Sequence, residues 1–207
     1  MKNYKIYKIG WVKTSNVEIK DLFKAWMGIS IAFGIAFSGL SFSLVLLWSI
    51  LIAVLVVGTA FLFHELAHKI VAQKYRYPAE FRAFDEMIFL AIIMSFFGFV
   101  LAAPGAVMIK AKQISKKTNG IISLAGPATN IVLAFLFFLI FKFLLPQAGS
   151  IVINEWSLDQ ILIKVNGFIA LFNLIPVWLF DGAKIFKWSK FIWFIMVLLG
   201  LITAFMI

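Results

Sequence analysis

The stretch FSLVLLWSILIAVLVVGTAFLFHELAHKIV, residues 42–71, decides how the chain is read. Up to Phe63 it carries no ionisable side chain, and His64, Glu65 and His68 then follow within one and a half helical turns. About 20 apolar residues in a helix cross the hydrocarbon core of a bilayer, so the stretch is long enough to span one. In a helix, positions i and i+4 share a face, so His64 and His68 can reach one ion while Glu65 reaches a water on that ion. Zinc is the usual metal for two imidazoles and a carboxylate, with the neighbouring Glu as general base. The plainer reading, two histidines capping the cytoplasmic end of a long helix, explains neither Glu65 nor the spacing. Ionisable groups inside an apolar span are expensive, which makes them functional by default.

The rest of the sequence agrees with a membrane setting. Of 207 residues, 63% are hydrophobic and 14% charged, and the mean hydropathy is +1.03, outside the range of soluble domains. With no cysteine, disulfides and thiolate metal sites are excluded. The two histidines of the motif are the whole histidine content. Residues 1–24 are polar and basic and lack the apolar core of a secretory signal, so they are expected to form a retained cytoplasmic tail. The net charge of +10 is read as membrane orientation, not as nucleic-acid binding.

Apolar runs predict an all-α polytopic membrane protein of five to six transmembrane helices, forming a single membrane-embedded core over residues 1–207. The expected spans are 25–40, 42–71, 121–145, 158–180 and 191–207, with 87–109 re-entrant or interfacial. The run Met87 to Ala103 barely reaches spanning length and runs into Ala102-Ala103-Pro104-Gly105. Of the 19 lysines and arginines, 17 fall in four clusters, at residues 2–24, 69–82, 110–117 and 184–190. If Met87 to Ala103 does not cross, all four clusters share one side, and Lys142 and Lys164 snorkel at the other. The rule therefore favours five spans with the N-terminus cytoplasmic in a multi-pass cell-membrane protein. Phe99 to Ile109, two β-prone arms around Pro104-Gly105, is expected to form a re-entrant hairpin, whose backbone edge must rest on protein or be offered to an extended substrate.

A catalytic zinc usually takes a third protein ligand, which here must be a carboxylate. Glu18, Asp21, Glu80, Asp85 and Glu86 lie in polar stretches, and Glu155 and Asp159 lie near the opposite face. Asp181 follows Asn173-Leu174-Ile175-Pro176 at the cytoplasmic end of a run, where the proline opens the backbone and lets a carboxylate point into a bundle. In the five-span arrangement His64, His68 and Asp181 share a side.

At this point the chain resembles the site-2 intramembrane metalloproteases. The resemblance rests on His64-Glu65-Leu66-Ala67-His68, on Ser123-Leu124-Ala125-Gly126-Pro127-Ala128-Thr129-Asn130 and on Asn173-Leu174-Ile175-Pro176 with Asp181-Gly182, covering about residues 55–190. It implies one zinc per chain held by His64, His68 and Asp181, water activation by Glu65, and a β element around Phe99 to Ile109 that holds substrate. It also implies that Asn130 and Asn173 bind substrate backbone or support the site; plain interhelical hydrogen bonding is the alternative. Leu179, where a second proline is common, and Ala183-Lys184, where Gly-Arg is common, depart from the pattern. The expected activity is hydrolysis of peptide bonds in or near the transmembrane segments of protein substrates, with lipid as the other partner and the active site toward the cytoplasmic side. A metal-ion transporter or channel using the same residues is the alternative, disfavoured because the polar residues cluster at one side. A catalytically dead scaffold is disfavoured by Glu65.

Overall fold

Where helices begin and end is set by side chains at their ends. Ser15 accepts a hydrogen bond from the backbone N–H of Glu18 and starts α1, Asn16–Ser38. Ser43 does the same at Val45 for α2, Leu44–Leu55, and Ser115 at Thr118 for α5, Lys116–Leu139. In the computed structural model, residues 4–39, 43–100, 103–111, 113–150, 152–153, 156–177 and 180–205 are described. Most are helical, and three helices are long and apolar enough to cross a membrane: Asn16–Ser38, Leu44–Lys74 and Lys116–Leu144. Lys190–Phe205 is a shorter apolar helix.

The chain divides into two compact units, Met1–Glu65 with Ala72–Ala111, and Leu66–Val71 with Lys112–Ile207. The first opens with an antiparallel hairpin, β1 (Ile6–Ile9) and β2 (Val12–Ser15), which runs directly into α1. Within residues 1–24, read as a tail, the chain is ordered from Ile6 as hairpin and helix, because Ser15 caps a helix whose first turns are polar. α1 packs on α2 and on α4 (Asp85–Ser95) through small residues. A methyl added at Gly34 would fall 2.7 Å from the Ile50 backbone, and one at Gly28 would overlap the Ile88 side chain. α3, Val57–Lys74, continues from α2 after one irregular residue, Val56, and closes with Arg76 at φ 65 and a bond from Tyr77 N–H to the Ala72 carbonyl.

After α3 the chain forms β3 (Ala79–Ala83), then α4, then β4 (Gly105–Ile109), and β3 pairs antiparallel with β4. Phe84 N–H donates to the Pro104 carbonyl at 2.9 Å, so the excursion through α4 starts and finishes at one point. At 11 residues α4 rises about 16 Å, half of a bilayer core. The sequence places a hairpin turn at Pro104-Gly105. Instead, the strand beginning at Gly105 pairs with 79–83, and Phe99, Val100, Ala103 and Pro104 lie outside strands. Leu101 and Ala102 of the expected first arm lie outside the described residues. Arg82 and Glu80 gave β3 a polar look that masked its alternation: Ala79 and Phe81 are buried, and Phe81 meets Phe61 edge to face at 5.8 Å.

The second unit contains α5, a π-helical turn Ile140–Leu144, α6 (Pro146–Gly149), the short pair β5 (Val152–Ile153) and β6 (Trp156–Ser157), α7 (Leu158–Asn173), α8 (Asp181–Trp188) and α9 (Lys190–Phe205). Its core gathers Ile131, Ala170, Leu174, Ile185 and Met196. The run read as a span over 158–180 stops being helical after Asn173, because Pro176 lacks an N–H and disfavours helix in the residue before it. Leu179 and Glu155, weighed in the sequence, lie outside the described residues.

The base of the β1–β2 hairpin is tied to the rest of the first unit. Tyr4 donates to Glu80 Oε1 at 2.5 Å, and Arg82 pairs with the other carboxylate oxygen. Burial alone pushes the Glu80 carboxyl up, but the Tyr4 hydrogen bond and the Arg82 guanidinium outweigh it and hold the group below the usual carboxylate range. A carboxylate depressed in the folded state stabilises it fully above the unfolded pKa and loses that contribution as pH falls through the folded one. Amide exchange in residues 5–15 is therefore expected to accelerate as pH drops below the ordinary carboxylate range, once corrected for intrinsic exchange rates. Glu80→Gln should abolish that acid-induced change; a variant retaining it would place its origin elsewhere.

Candidate metal centre

α3 is continuous through the division between the units, and it places His64 and His68 one turn apart on one face, both buried. Glu65, between them in sequence, is partly buried. His68 is fixed by two contacts inside the second unit. Its Nδ1 lies 2.7 Å from the backbone carbonyl of Ile122 on α5. A carbonyl can only accept, so Nδ1 carries the hydrogen and Nε2 is left with its lone pair. That Nε2 lies 3.0 Å from Asp181 Oδ2. A lone pair and a carboxylate repel at this distance, so the pair is satisfied by a cation between or beside them, a proton or a metal ion. An imidazole backed by a carbonyl on one nitrogen and offering the other is the usual form of a metal-ligating histidine.

Asp181 reaches this position through the break after α7. It opens α8, where the helix N-terminus favours a carboxylate. Trp193 of α9 donates its indole N–H to the Leu174 carbonyl at 2.7 Å, fixing the chain as it leaves α7. Gly182 lets the first turn of α8 lie directly on that segment: a methyl there would sit 2.1 Å from the Leu174 carbonyl oxygen and 2.7 Å from that of Ile175. The two oxygens of Asp181 have different partners, since Oδ1 lies 3.5 Å from Lys184 Nζ while Oδ2 faces His68. His64, His68 and Asp181 are each buried and each offers one ligand atom; among the described residues they form the group suited to a metal ion. Two imidazoles and one carboxylate match the donor preference of zinc.

The asparagines behave differently from this candidate metal group. Asn130 of α5 is fully buried and donates to Asn166 of α7 at 3.1 Å, and Asn166 in turn donates to the Leu162 carbonyl. Asn173 donates to Ile169 of its own helix at 2.9 Å. The structure thus gives Asn130 an interhelical bond and Asn173 a local one. Asn166, the Ile122 carbonyl and the contact of Lys184 with Asp181 were missed in the sequence. Asn166 had a signal, an amide in the apolar run 158–180 two turns before Asn173. A backbone carbonyl has none.

Comparison with known proteins places these residues in a family. The model of peptidase family M50 matches residues 52–157, a stretch that includes His64, Glu65, His68 and Asn130 and stops before Asp181. A protein of Methanocaldococcus jannaschii, assigned by its name as a zinc metalloprotease, is 42% identical over 144 residues, covering 69% of this chain and 73% of that one. No solved structure matches at a comparable level.

The close contact at Gly182 generates a test. Gly182→Ala forces α8 away from backbone that cannot yield, and overpacking of this kind costs about 1–3 kcal/mol. The variant is expected to melt at lower temperature in detergent and to retain less metal than wild type after dialysis against a chelator. Unchanged melting and metal retention would show that the first turn of α8 has slack.

Proposed function

Because the chain belongs to peptidase family M50, the site-2 protease family, and is a membrane metalloprotease, we propose that it hydrolyses peptide bonds in or near transmembrane segments of other membrane proteins. The observation that supports this best is His68, buried in an apolar helix, backed by the Ile122 carbonyl and facing Asp181, with Glu65 less than one turn away. In this reading His64, His68 and Asp181 hold one zinc ion per chain. When bound, zinc polarises the scissile carbonyl and lowers the pKa of water. Glu65 takes a proton from the attacking water as its oxygen bonds to the carbonyl carbon, and passes it to the departing amide nitrogen as the C–N bond breaks. Asn130 and Asn173 act through support of the bundle.

A helical substrate hides its carbonyls, so it must enter extended, and β4 offers a place for it. Phe81 N–H donates to Glu18 Oε1 at 2.9 Å, so the backbone of Phe81 faces away from β4. Its cross-strand partner Val107 then faces away from β3, as do Gly105 and Ile109, while Pro104 and Lys110 bond across the ladder. Among the described residues no third strand joins this sheet. An extended substrate adding to that edge meets the N–H and C=O of Gly105, Val107 and Ile109. The excursion through α4 returns to its starting point, which supports the five-span reading with the N-terminus and the site toward the cytoplasmic side.

Two experiments separate these roles. Glu65→Gln should bind zinc like wild type, measured by metal analysis, and lose on the order of a hundredfold or more in cleavage of single-span substrates; turnover at the wild-type rate would remove Glu65 as the base. Val107→Pro deletes an outward donor and should slow cleavage about three- to tenfold, the worth of one backbone hydrogen bond, with melting and zinc content preserved. Ala106→Pro deletes a donor within the ladder and should destabilise the protein instead. If Val107→Pro cleaves normally, substrate does not add to this edge.

A further inference from the structure

The hairpin β1–β2 has an anchored base and a tip that rests on little of the protein. At the base, Lys5 and Asn16 exchange bonds at 3.0 Å, and Gln73 grips both backbone groups of Lys13 at 2.8 Å. At the tip, Ile9 is 75% exposed and Trp11 53%, on either side of Gly10. Directly paired residues of an antiparallel ladder share a face, so Lys8 and Lys13 lie opposite each other on one face, and Ile9 and Val12 on the other beside Tyr7 and Thr14. Like charges placed directly opposite destabilise a strand pair, and exposed Ile and Trp at a tip gain nothing in water. From Tyr4 to Ser15 the chain carries three lysines and no acid. The hairpin runs without a break into α1, a helix of spanning length, which holds it at the level of lipid headgroups.

We propose that this hairpin docks on an anionic lipid surface, with the Ile9-Gly10-Trp11 tip in the headgroup boundary and the Lys8–Lys13 pair on lipid phosphates. Phosphate between the two ammonium groups turns a repulsive pair into a shared site. Trp is at home at that depth, with an apolar body and a polar N–H. An anionic leaflet attracts each nearby lysine enough to change occupancy about fivefold, so the pair together is worth roughly twenty- to thirtyfold. Through Gln73, near the end of α3, and Tyr4 on Glu80, the docked hairpin is joined to the helix that carries His64 and His68 and to β3. The inference depends on the membrane setting alone and stands whether or not the proteolytic reading holds.

The chain has no cysteine, so Ile9→Cys provides a unique thiol for an environment-sensitive fluorophore. The full chain is reconstituted into phosphatidylcholine bilayers with and without phosphatidylglycerol. The expected result is a blue-shifted emission and protection from an aqueous quencher only with phosphatidylglycerol, reversed by high salt, because these lysines are exposed and screened. Adding Lys8→Gln and Lys13→Gln should reduce the protected fraction by tenfold or more, with the melting temperature unchanged or raised. Equal protection in neutral and anionic bilayers would overturn the proposal in favour of a plain apolar anchor. So would protection that appears only when polyglutamate is added, which would point to an acidic protein segment.

Discussion

Ionised groups buried among apolar side chains cost several kcal/mol each unless they are partnered, and the second unit is arranged around that constraint. His68 is fixed between a carbonyl from α5 and a carboxylate from α8. Those two helices, with α7 and α9, supply the packing that keeps both groups in place. The proline after α7, the indole bond from Trp193 and the absence of a side chain at Gly182 all serve to aim one carboxylate oxygen. Lys184 pairs with the other oxygen at 3.5 Å, while Oδ2 faces His68. A carboxylate with both oxygens open could rotate or bind a cation through either, so Lys184 narrows the geometry although it is itself half exposed.

Much of this was legible in the sequence, for a reason that differs by element. Long apolar helices announce themselves because a span needs about 20 apolar residues whatever it packs against. The polar first turns of α1 and α5 did not, since hydropathy counts end where lysines begin, and Ser15 and Ser115 were the signals that would have moved both boundaries outward. β3 was hidden because Glu80 and Arg82 pair with each other across one face and leave only Ala79 and Phe81 to mark the buried one. The strand at 105–109 was found, but its partner was sought nearby at a Pro-Gly turn. Strand pairing is decided by which edge can be satisfied, and the Phe84–Pro104 bond closes a loop that no local pattern encodes.

The grouping of His64, His68 and Asp181 was legible because two histidines and a remote Asp-Gly leave few alternatives in a chain with so few ionisable groups. What supports them was not. Peptide carbonyls are present at every position, and only folding selects Ile122 as the acceptor for His68. Asn130 was singled out, yet its partner Asn166 was passed over, because in a helix pair the informative quantity is depth, which a single sequence gives only through two candidate polar positions taken together.

The register of α3 is set by contacts within the first unit. A helix that carries candidate ligands at i and i+4 must neither slide nor rotate to keep them on one face, since a residue of slip turns it by about 100°. Its start is held where α1 meets the α2–α3 junction. Trp26 donates to the Val54 carbonyl at 3.0 Å, Ser30 approaches that of Ala53, and Thr59 bonds back to Leu55. Gly58 completes the fit, because any side chain there would occupy the Trp26 indole. Its end is held by the Gln73 amide, which bonds the backbone of Lys13 on one side and the Ala79 carbonyl on the other. Fixing a helix at both ends by side chains that bond to backbone, not to one another, sets its rotation without placing any charge in the apolar middle. The same fixing keeps His64 and His68 on one face.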